Sequence, residues 1–161
     1  MHVLNPDDYL RGPEGLRVFT HERNEAAWEK LYADLERLLS GATPETRLFV
    51  VMGVQGGGKT TWVRENQALL GPSAVVLDAA LPAERHRARA LSLAKRSGVR
   101  AVGVWVKTSL ELALARNTAR PADEVVPEEA IRSVFGLLEG PSHEEGFDEV
   151  MVVMDRDSRD A

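Results

Sequence analysis

The stretch Arg47-Leu48-Phe49-Val50-Val51-Met52-Gly53-Val54-Gln55-Gly56-Gly57-Gly58-Lys59-Thr60 decides the fold of this 161-residue chain. Residues 47–53 form an apolar run of strand length, which is typical of a strand buried on both faces of a parallel sheet. Residues 53–60 satisfy the pattern G-x-x-x-x-G-K-[ST] and precede a helical pattern. Glycine backbone at positive φ turns successive N–H groups inward, toward the positive end of the following helix. The sequence therefore predicts a phosphate-binding loop.

The side chains of this loop have predicted parts in holding ATP and Mg²⁺. We expect Lys59 to reach the β- and γ-phosphates and the Thr60 hydroxyl to ligate Mg²⁺, which prefers oxygen ligands. The predicted nucleotide-binding residues of the loop are Gly53, Gln55, Gly56, Gly57, Gly58, Lys59, Thr60 and Thr61. Such a loop predicts nucleotide binding but not a reaction, because GTPases, motor ATPases and small kinases share it. The chain has no N-K-x-D tetrapeptide, which counts against a GTPase.

Outward from the loop, strand and helix patterns alternate. Three further apolar runs predict strands, at 73–78, 99–106 and 149–154. Helical periodicity is found at 24–39, 60–70, 82–97, 110–118 and 127–138. We expect Asn24 to cap the first helix, Gly41 to end it, and Pro127 to be the first residue of the last. The alternation predicts an α/β, three-layer P-loop NTPase fold with helices on both faces of a mainly parallel sheet. This reduced sheet has about four strands, ordered 73–78, 47–53, 100–106, 149–154.

Length and composition indicate a single domain. We divide it into a helical extension (1–46), a nucleotide-binding core (47–154) and a tail with nothing to bury (155–161). The chain has no cysteine, which excludes disulfides and thiolate metal sites. No apolar run is long enough to span a bilayer and no targeting pattern opens the sequence, so we expect a cytoplasmic protein without a membrane partner. No protein partner is indicated.

The net charge of −5 is unevenly distributed. Residues 1–46 carry five basic and nine acidic side chains, residues 47–120 twelve and four, and residues 121–161 three and twelve. An anionic ligand held by the middle of the chain would account for the basic centre, and so would a solvated basic helix.

Asp78 ends the second predicted strand of the core. In P-loop folds, an acid at the carboxyl end of the strand beside the loop faces Mg²⁺ or the attacking group. We therefore predict Thr60 and Asp78 as the metal ligands. The alternative is that Asp78 is a turn or cap residue before the next helix.

Three segments in the right order resemble the P-loop kinases grouped around polynucleotide 5′-kinase. Val75–Arg85 is similar to that family's strand-Asp-x-x-Leu-x-x-Glu-Arg segment, and Ala115–Arg120 followed by Val126-Pro127 is similar to its R-N-x-x-R…V-P lid. Glu139-Gly140-Pro141 and Glu145-Gly146-Phe147-Asp148 resemble its closing segment. The resemblance extends from Val50 to about Val153.

The resemblance implies a kinase that transfers the γ-phosphate of ATP to a hydroxyl. Arg120 matches the lid arginine that contacts the nucleotide phosphates, and Arg116 is its companion one helical turn away. Lys59, Asp78 and Arg120 are then the predicted catalytic residues, with ATP and Mg²⁺ as cofactors. The alternative for the two arginines is a solvated helix end, where cations are favoured in any case.

One departure concerns the general base. The resembled family has a further strand after the P-loop helix, ending in an N-x-D-D-Y-like stretch whose first aspartate is the base. Here only Trp62–Pro72 separates the loop from the next strand, too little for another strand and helix. Either Asp78 serves both as metal ligand and as general base, or the similar segment Asn5–Arg11 folds back and supplies Asp7 as the base. A polar, disordered start is the simpler alternative.

The acceptor is left open by the sequence. The resemblance favours a polynucleotide 5′-hydroxyl. The alternatives are a small-molecule kinase acting on a nucleoside, sugar or antibiotic hydroxyl, and a regulatory ATP-binding module that has lost the base. Arg85 and Arg87, in the first turn of a helix near the carboxyl ends of the strands, are candidates to hold an acceptor phosphate.

Overall fold

The computed structural model describes residues 1–11 and 20–154, so the predicted tail lies outside the described residues. Its strands are β1 (His2–Leu4), β2 (Arg47–Met52), β3 (Val75–Asp78), β4 (Arg100–Lys107) and β5 (Glu149–Met154). They pair in parallel in the order β1-β3-β2-β4-β5. The predicted order of the four core strands is confirmed. The sheet has five strands rather than about four, because β1 extends the edge beside β3.

The helices are α1 (His21–Ser40), α2 (Lys59–Glu65), α3 (Gln67–Leu70), α4 (Glu84–Arg96), α5 (Leu110–Thr118) and α6 (Glu128–Leu137), and a 3-10 turn spans Pro6–Tyr9. The prediction of Asn24 as a cap is wrong, because the Thr20 hydroxyl accepts from the Arg23 N–H at 3.1 Å and the helix begins there. Gly41 does end α1. Pro127 occupies the N-cap position just before α6, rather than being the first residue of that helix. The helix predicted over 60–70 is interrupted at Asn66.

Two apolar layers cover the sheet, one on each face. Along β2, Leu48 and Val50 point into the layer formed with α1 and α4, while Phe49 and Val51 point into the layer formed with α2 and α3. All four side chains are at most 2% exposed. Burial on both faces explains the unbroken apolar run. The predicted α/β fold with helices on both faces is therefore confirmed.

The amino-terminal segment is part of the sheet, so the expectation of a disordered start is wrong. Strand β1 pairs with β3 in parallel register, with Leu4 opposite Leu77, and the His2 N–H donates to the Ala74 carbonyl at 2.9 Å. The Tyr9 hydroxyl then donates to Asp34 Oδ2 on α1 at 2.6 Å. Strand β1 thus occupies the outer position next to β3. Because parallel strands share one carboxyl edge, residues 5–9 reach the edge that carries the loop.

No helix within the two described ranges has both the length and the apolar character needed to cross a membrane.

Candidate active site

The loop between β2 and α2 has a backbone that only glycine accommodates at two points. Gly53 has a φ of +150°, and a Cβ there would lie 2.7 Å from the Val106 carbonyl oxygen. Gly58, at a φ of +87°, is in the left-handed region and caps α2. The glycines therefore let the chain turn closely against β4 and direct the start of α2 toward the carboxyl edge of the sheet.

Lys59 lies inside this loop. Its Nζ donates to the carbonyls of Gly53 and Val54 at 3.1 and 2.9 Å. Burial lowers the pKa of Lys59, whereas the charges of Asp78 and Asp7 raise it and that of Arg120 lowers it. The ammonium group is thus close to two carboxylates and one guanidinium that come from three separate parts of the chain.

Thr60 and Asp78 form a pair at the carboxyl edge. The Thr60 hydroxyl donates to Asp78 Oδ2 at 2.8 Å, and Asp78 is 2% exposed. Burial raises the pKa of Asp78, opposed by the Lys59 charge and by the Thr60 hydrogen bond. Asp78 Oδ1 is buried and has no hydrogen-bond partner in the described part of the chain. A buried carboxylate oxygen of this kind, beside a hydroxyl, is the donor set that suits Mg²⁺.

The two arginines predicted to form a lid, Arg116 and Arg120, approach the loop from α5 and the segment after it. Arg116 Nη1 donates to the Gly56 carbonyl at 3.2 Å. Arg120 lies beyond the end of α5, where its charge contributes to lowering the pKa of Lys59. Both arginines line the cleft together with the loop.

Sequence reasoning missed the part played by Asn117. This side chain is 4% exposed; its Nδ2 donates to the Val126 carbonyl at 2.7 Å and its Oδ1 accepts from the Val126 N–H at 3.0 Å. The two bonds close the segment that carries Arg120 back onto α5. An asparagine between the two arginines of the lid pattern was the available signal, because a buried amide needs partners on both of its atoms.

The amino-terminal turn brings a third acid to the site. Asn5 Oδ1 accepts from the Asp7 N–H at 2.9 Å, which caps the turn that begins at Pro6. The charges of Asp7 and Asp8 both raise the pKa of Asp78. Residues of the segment Asn5–Arg11 line the same cleft as the P-loop, so the segment folds back to the loop, as the fold-back alternative anticipated.

These elements enclose a cleft of about 1510 Å³. The predicted site residues that line it are Gln55, Gly56, Gly57, Gly58, Lys59, Thr60, Thr61, Asp78, Arg116 and Arg120. Asp7, Asp8 and Arg11 line it as well. Gly53 lies behind the lining and takes part through its carbonyl contact with Lys59.

Arg87, one of the two candidates for an acceptor phosphate, points away from the cleft. Its side chain is fully buried and forms a bidentate pair with Glu145, at 2.7 and 2.9 Å, and Nη1 donates to the Glu139 carbonyl at 2.8 Å. Arg87 therefore fastens the closing segment to α4. Arg85 is exposed outside the cleft lining.

The fold and the loop together define a protein of the P-loop NTPase type. A family model described as an AAA domain (AAA_33) matches residues 66–140, which include Asp78, Arg116 and Arg120 but begin after the loop itself. This match supports the P-loop kinase and NTPase superfamily as the class of the chain.

No curated protein matches the sequence. Among solved structures, the complex AvrRxo1-ORF1:AvrRxo1-ORF2 with sulphate ions contains a similar chain, with 18% sequence identity and a TM-score of 0.48. The similarity covers 73% of the present chain and 56% of the solved one, so the present chain spans little more than half the length of that relative.

Proposed function

We propose that the protein is an ATP-dependent phosphotransferase that moves the γ-phosphate of ATP to a hydroxyl group. The observation that carries this proposal is the position of Asp7. Strand β1 pairs beside β3, and the turn that follows β1 places Asp7 in the lining of the cleft that Lys59 and Asp78 also line. A P-loop, a buried acid and a second, half-buried acid in the cleft lining together suit transfer to an acceptor.

In the proposed step, the acceptor hydroxyl oxygen forms a bond to the γ-phosphorus while the bond from that phosphorus to the β,γ-bridging oxygen breaks. The hydroxyl proton passes to Asp7, and ADP leaves with the electron pair of the broken bond. Lys59 and Arg120 stabilise the negative charge on the transferred group. Asn117 keeps the segment that carries Arg120 in place.

Thr60 and Asp78 are the residues that would hold Mg²⁺. When bound, the ion neutralises phosphate charge and orients the β- and γ-phosphates. The Thr60 hydroxyl and the buried Asp78 Oδ1 supply oxygen donors of the type the ion prefers.

Two aspartates compete for the role of general base, and the contacts favour Asp7. Asp78 is buried, is hydrogen-bonded to Thr60, and lies beneath the loop, which suits a metal ligand. Asp7 is half-buried on the turn that lines the cleft, which suits a group that meets an entering hydroxyl. The two acids then divide the two duties, for which the sequence had left open either Asp78 alone or Asp78 together with Asp7.

The proposal is tested by incubating the protein with γ-labelled ATP, Mg²⁺ and a panel of hydroxyl acceptors. The panel contains 5′-hydroxyl RNA, 5′-hydroxyl DNA, nucleosides, sugars and antibiotics. Labelled acceptor is the expected product. The proposed activity includes both a polynucleotide 5′-hydroxyl, which the sequence resemblance favours, and a small alcohol as acceptor. The alternative to this activity is a regulatory ATP-binding module.

The role of Asp7 is tested in the same assay. We expect Asp7→Asn to lower kcat by about 10²-fold, since general bases contribute on that scale, while the Kd for ATP stays within a factor of two to three. Glu45→Gln is the matched control, because it removes one carboxylate on an exposed turn before β2, at the opposite edge of the sheet. If Asp7→Asn turns over normally while Asp78→Asn is inactive, Asp7 is not the base. ATP binding without transfer to any acceptor or to water would leave the regulatory module as the function.

A further inference from the structure

The buried pair of Arg87 and Glu145 extends beyond the closing segment, to the residues that end β2 and follow β3. Arg87 is 0% exposed, and its Nη1 donates to the Met52 sulfur at 3.0 Å and, more weakly, to the Leu81 carbonyl at 3.4 Å. Met52 directly precedes the first glycine of the loop, and Leu81 is three residues after Asp78. The guanidinium group therefore contacts the chain beside both the loop and Asp78.

The ends of β2 and β3 are also bonded to each other. The Gly53 N–H donates to the Ala80 carbonyl at 3.1 Å, and the Ala79 N–H donates to the Val51 carbonyl at 3.2 Å. These two hydrogen bonds join residues 79–80 to the start of the loop. Because Asp78 directly precedes this short segment, the place of its carboxylate relative to the loop depends on where the segment is held.

The backbone of Leu81 needs outside contacts to keep its conformation. Among residues 1–11 and 20–154, Leu81 is the one non-glycine residue with a positive φ, at +41°. Such a conformation persists only where the surrounding structure fixes it. On the far side of Leu81, the Glu139 N–H donates to the Pro82 carbonyl at 2.6 Å, and the Glu139 carbonyl accepts from Arg87 Nη1 at 2.8 Å. Arg87 and the closing segment thus hold the chain between Asp78 and α4.

The chemistry of the pair suits the control of geometry. An ion pair in the interior contributes little net stability, because the loss of hydration offsets the attraction, and apolar side chains of similar volume would pack as well. A guanidinium forked onto a carboxylate has a fixed direction. Arg87 Nε and Nη2 donate to the two Glu145 oxygens at 2.7 and 2.9 Å, and the Ser142 N–H donates to the same carboxylate at 3.0 Å. This arrangement leaves Nη1 directed at the strand ends.

We infer that Arg87 and Glu145 are positioning residues of the metal site, because they hold the strand ends that set the place of Asp78 relative to Thr60. This inference rests on the proposed function, in which Thr60 and Asp78 hold Mg²⁺, and it adds two residues outside the cleft lining. Thr60 follows β2 and Asp78 ends β3, so a shift of one strand end against the other separates the two oxygen donors. Loss of the pair should therefore weaken Mg²⁺ binding more than binding of the nucleotide by the loop itself.

The test measures binding of the non-hydrolysable analogue β,γ-imido-ATP to the full chain by calorimetry, over a series of Mg²⁺ concentrations. Arg87→Lys keeps the charge but loses the fork. We expect it to raise the Mg²⁺ concentration needed for half-maximal strengthening of analogue binding by about tenfold, the usual scale for residues that orient metal ligands. The Kd for the analogue without Mg²⁺ should change by less than about threefold. Glu145→Gln, which keeps the shape of the side chain and removes its charge, should show the same pattern.

Leu48→Ala is the control for a general loss of stability. Leu48 is 0% exposed near the opposite end of β2, where it lies between Val75 of β3 and Ala101 of β4. The substitution therefore leaves a cavity in the core without touching the Arg87 contacts. We expect its thermal unfolding midpoint to fall, while its Mg²⁺ requirement stays that of the wild type. Binding is measured at a temperature at which each protein is folded.

Each outcome decides the inference. An unchanged Mg²⁺ requirement in Arg87→Lys or Glu145→Gln overturns it, because the pair would then be a packing contact only. An equal rise in Leu48→Ala, or equal weakening of analogue binding with and without Mg²⁺, also overturns it. If Arg87→Lys does not fold, the milder Glu145→Gln decides alone.

The proposed function is decided by a separate measurement. If the wild type binds the analogue with the expected Mg²⁺ dependence but transfers no label from γ-labelled ATP to any acceptor, phosphotransfer is wrong and the positioning role stands. If the wild type shows no Mg²⁺-dependent binding of the analogue, both are wrong.

Discussion

The two sides of the cleft are built in different ways. The side proposed to bind the nucleotide is a continuous loop, residues 53–60, to which α5 and the segment after it add Arg116 and Arg120. The side proposed to receive the acceptor is assembled from the amino-terminal segment, because the three-residue strand β1 pairs with β3 and the turn Pro6–Tyr9 follows it. The first side depends on local sequence, and the second depends on pairing between residues more than seventy positions apart.

Because the two sides are built separately, we expect substitutions to affect nucleotide binding and acceptor use independently. A change in the loop should abolish every activity that depends on ATP. A change that loosens the amino-terminal segment should leave nucleotide binding intact and affect the acceptor half alone. Three substitutions test that separation, from the largest expected effect to the smallest.

Lys59→Ala should remove phosphoryl transfer, with a loss of about 10³-fold in kcat/KM, because one preorganised cation at the transferred group contributes on that scale. The fold should remain intact, since β2 and its neighbours bury their apolar faces without this side chain. Transfer of γ-labelled phosphate and the thermal unfolding midpoint are the measurements. Lys95→Ala, an exposed site on α4, is the control. Unchanged transfer in Lys59→Ala would contradict the assignment of the loop.

Asn117→Ala should raise the KM for ATP by about tenfold, equivalent to about 1.4 kcal/mol. The substitution removes both hydrogen bonds to Val126, so the segment with Arg120 is no longer held against α5. Steady-state kinetics with varied ATP provide the measurement. Thr118→Ala is the matched control, because Thr118 is exposed on the same helical turn and bonds only within the helix. Equal KM values for the two variants would show that Asn117 does not position the lid.

The same difference explains how much the sequence could predict. The loop and its residues in the cleft lining follow from local patterns, because glycine, lysine and threonine at fixed spacing define the phosphate site. The segment Asn5–Tyr9 could be matched to a family stretch, but its place could not be derived. A strand of three residues has too little periodicity to be recognised, and its pairing with β3 is a long-range contact.

For Arg87, the sequence predicted a ligand-binding role, and the structure shows a buried structural contact instead. Its position in the first turn of α4 predicted exposure toward a ligand, yet it is one of the most buried side chains in the described structure. The partner, Glu145, lies far along the chain in the closing segment, and no local pattern links the two. The guanidinium is stable in the interior because its N–H groups donate hydrogen bonds to the Glu145 carboxylate, the Glu139 carbonyl and the Met52 sulfur.

Tyr9→Phe has the smallest expected effect of the three substitutions, and it tests the side proposed to receive the acceptor. The substitution removes the hydroxyl that donates to Asp34 at 2.6 Å and so loosens the turn that carries Asp7. We expect a loss of about 1 kcal/mol in the free energy of unfolding, the usual net contribution of one hydrogen bond. The KM for the acceptor should rise about twofold, and the Kd for ATP should not change. Tyr32→Phe, on the same helix as Asp34 but outside the cleft lining, is the control.

The pH dependence of the same variant gives an independent measure. Burial, together with the Asp34 contact, raises the pKa of Tyr9 from 10.0 to about 12. The folded state therefore holds the phenolic proton more tightly than the unfolded state, so the contribution of Tyr9 is complete below pH 10 and is lost as the pH rises toward 12. The stability difference between the wild type and Tyr9→Phe should shrink over that window. A difference that stays constant would mean that the turn is held by β1 alone, and the acceptor side would then depend only on strand pairing.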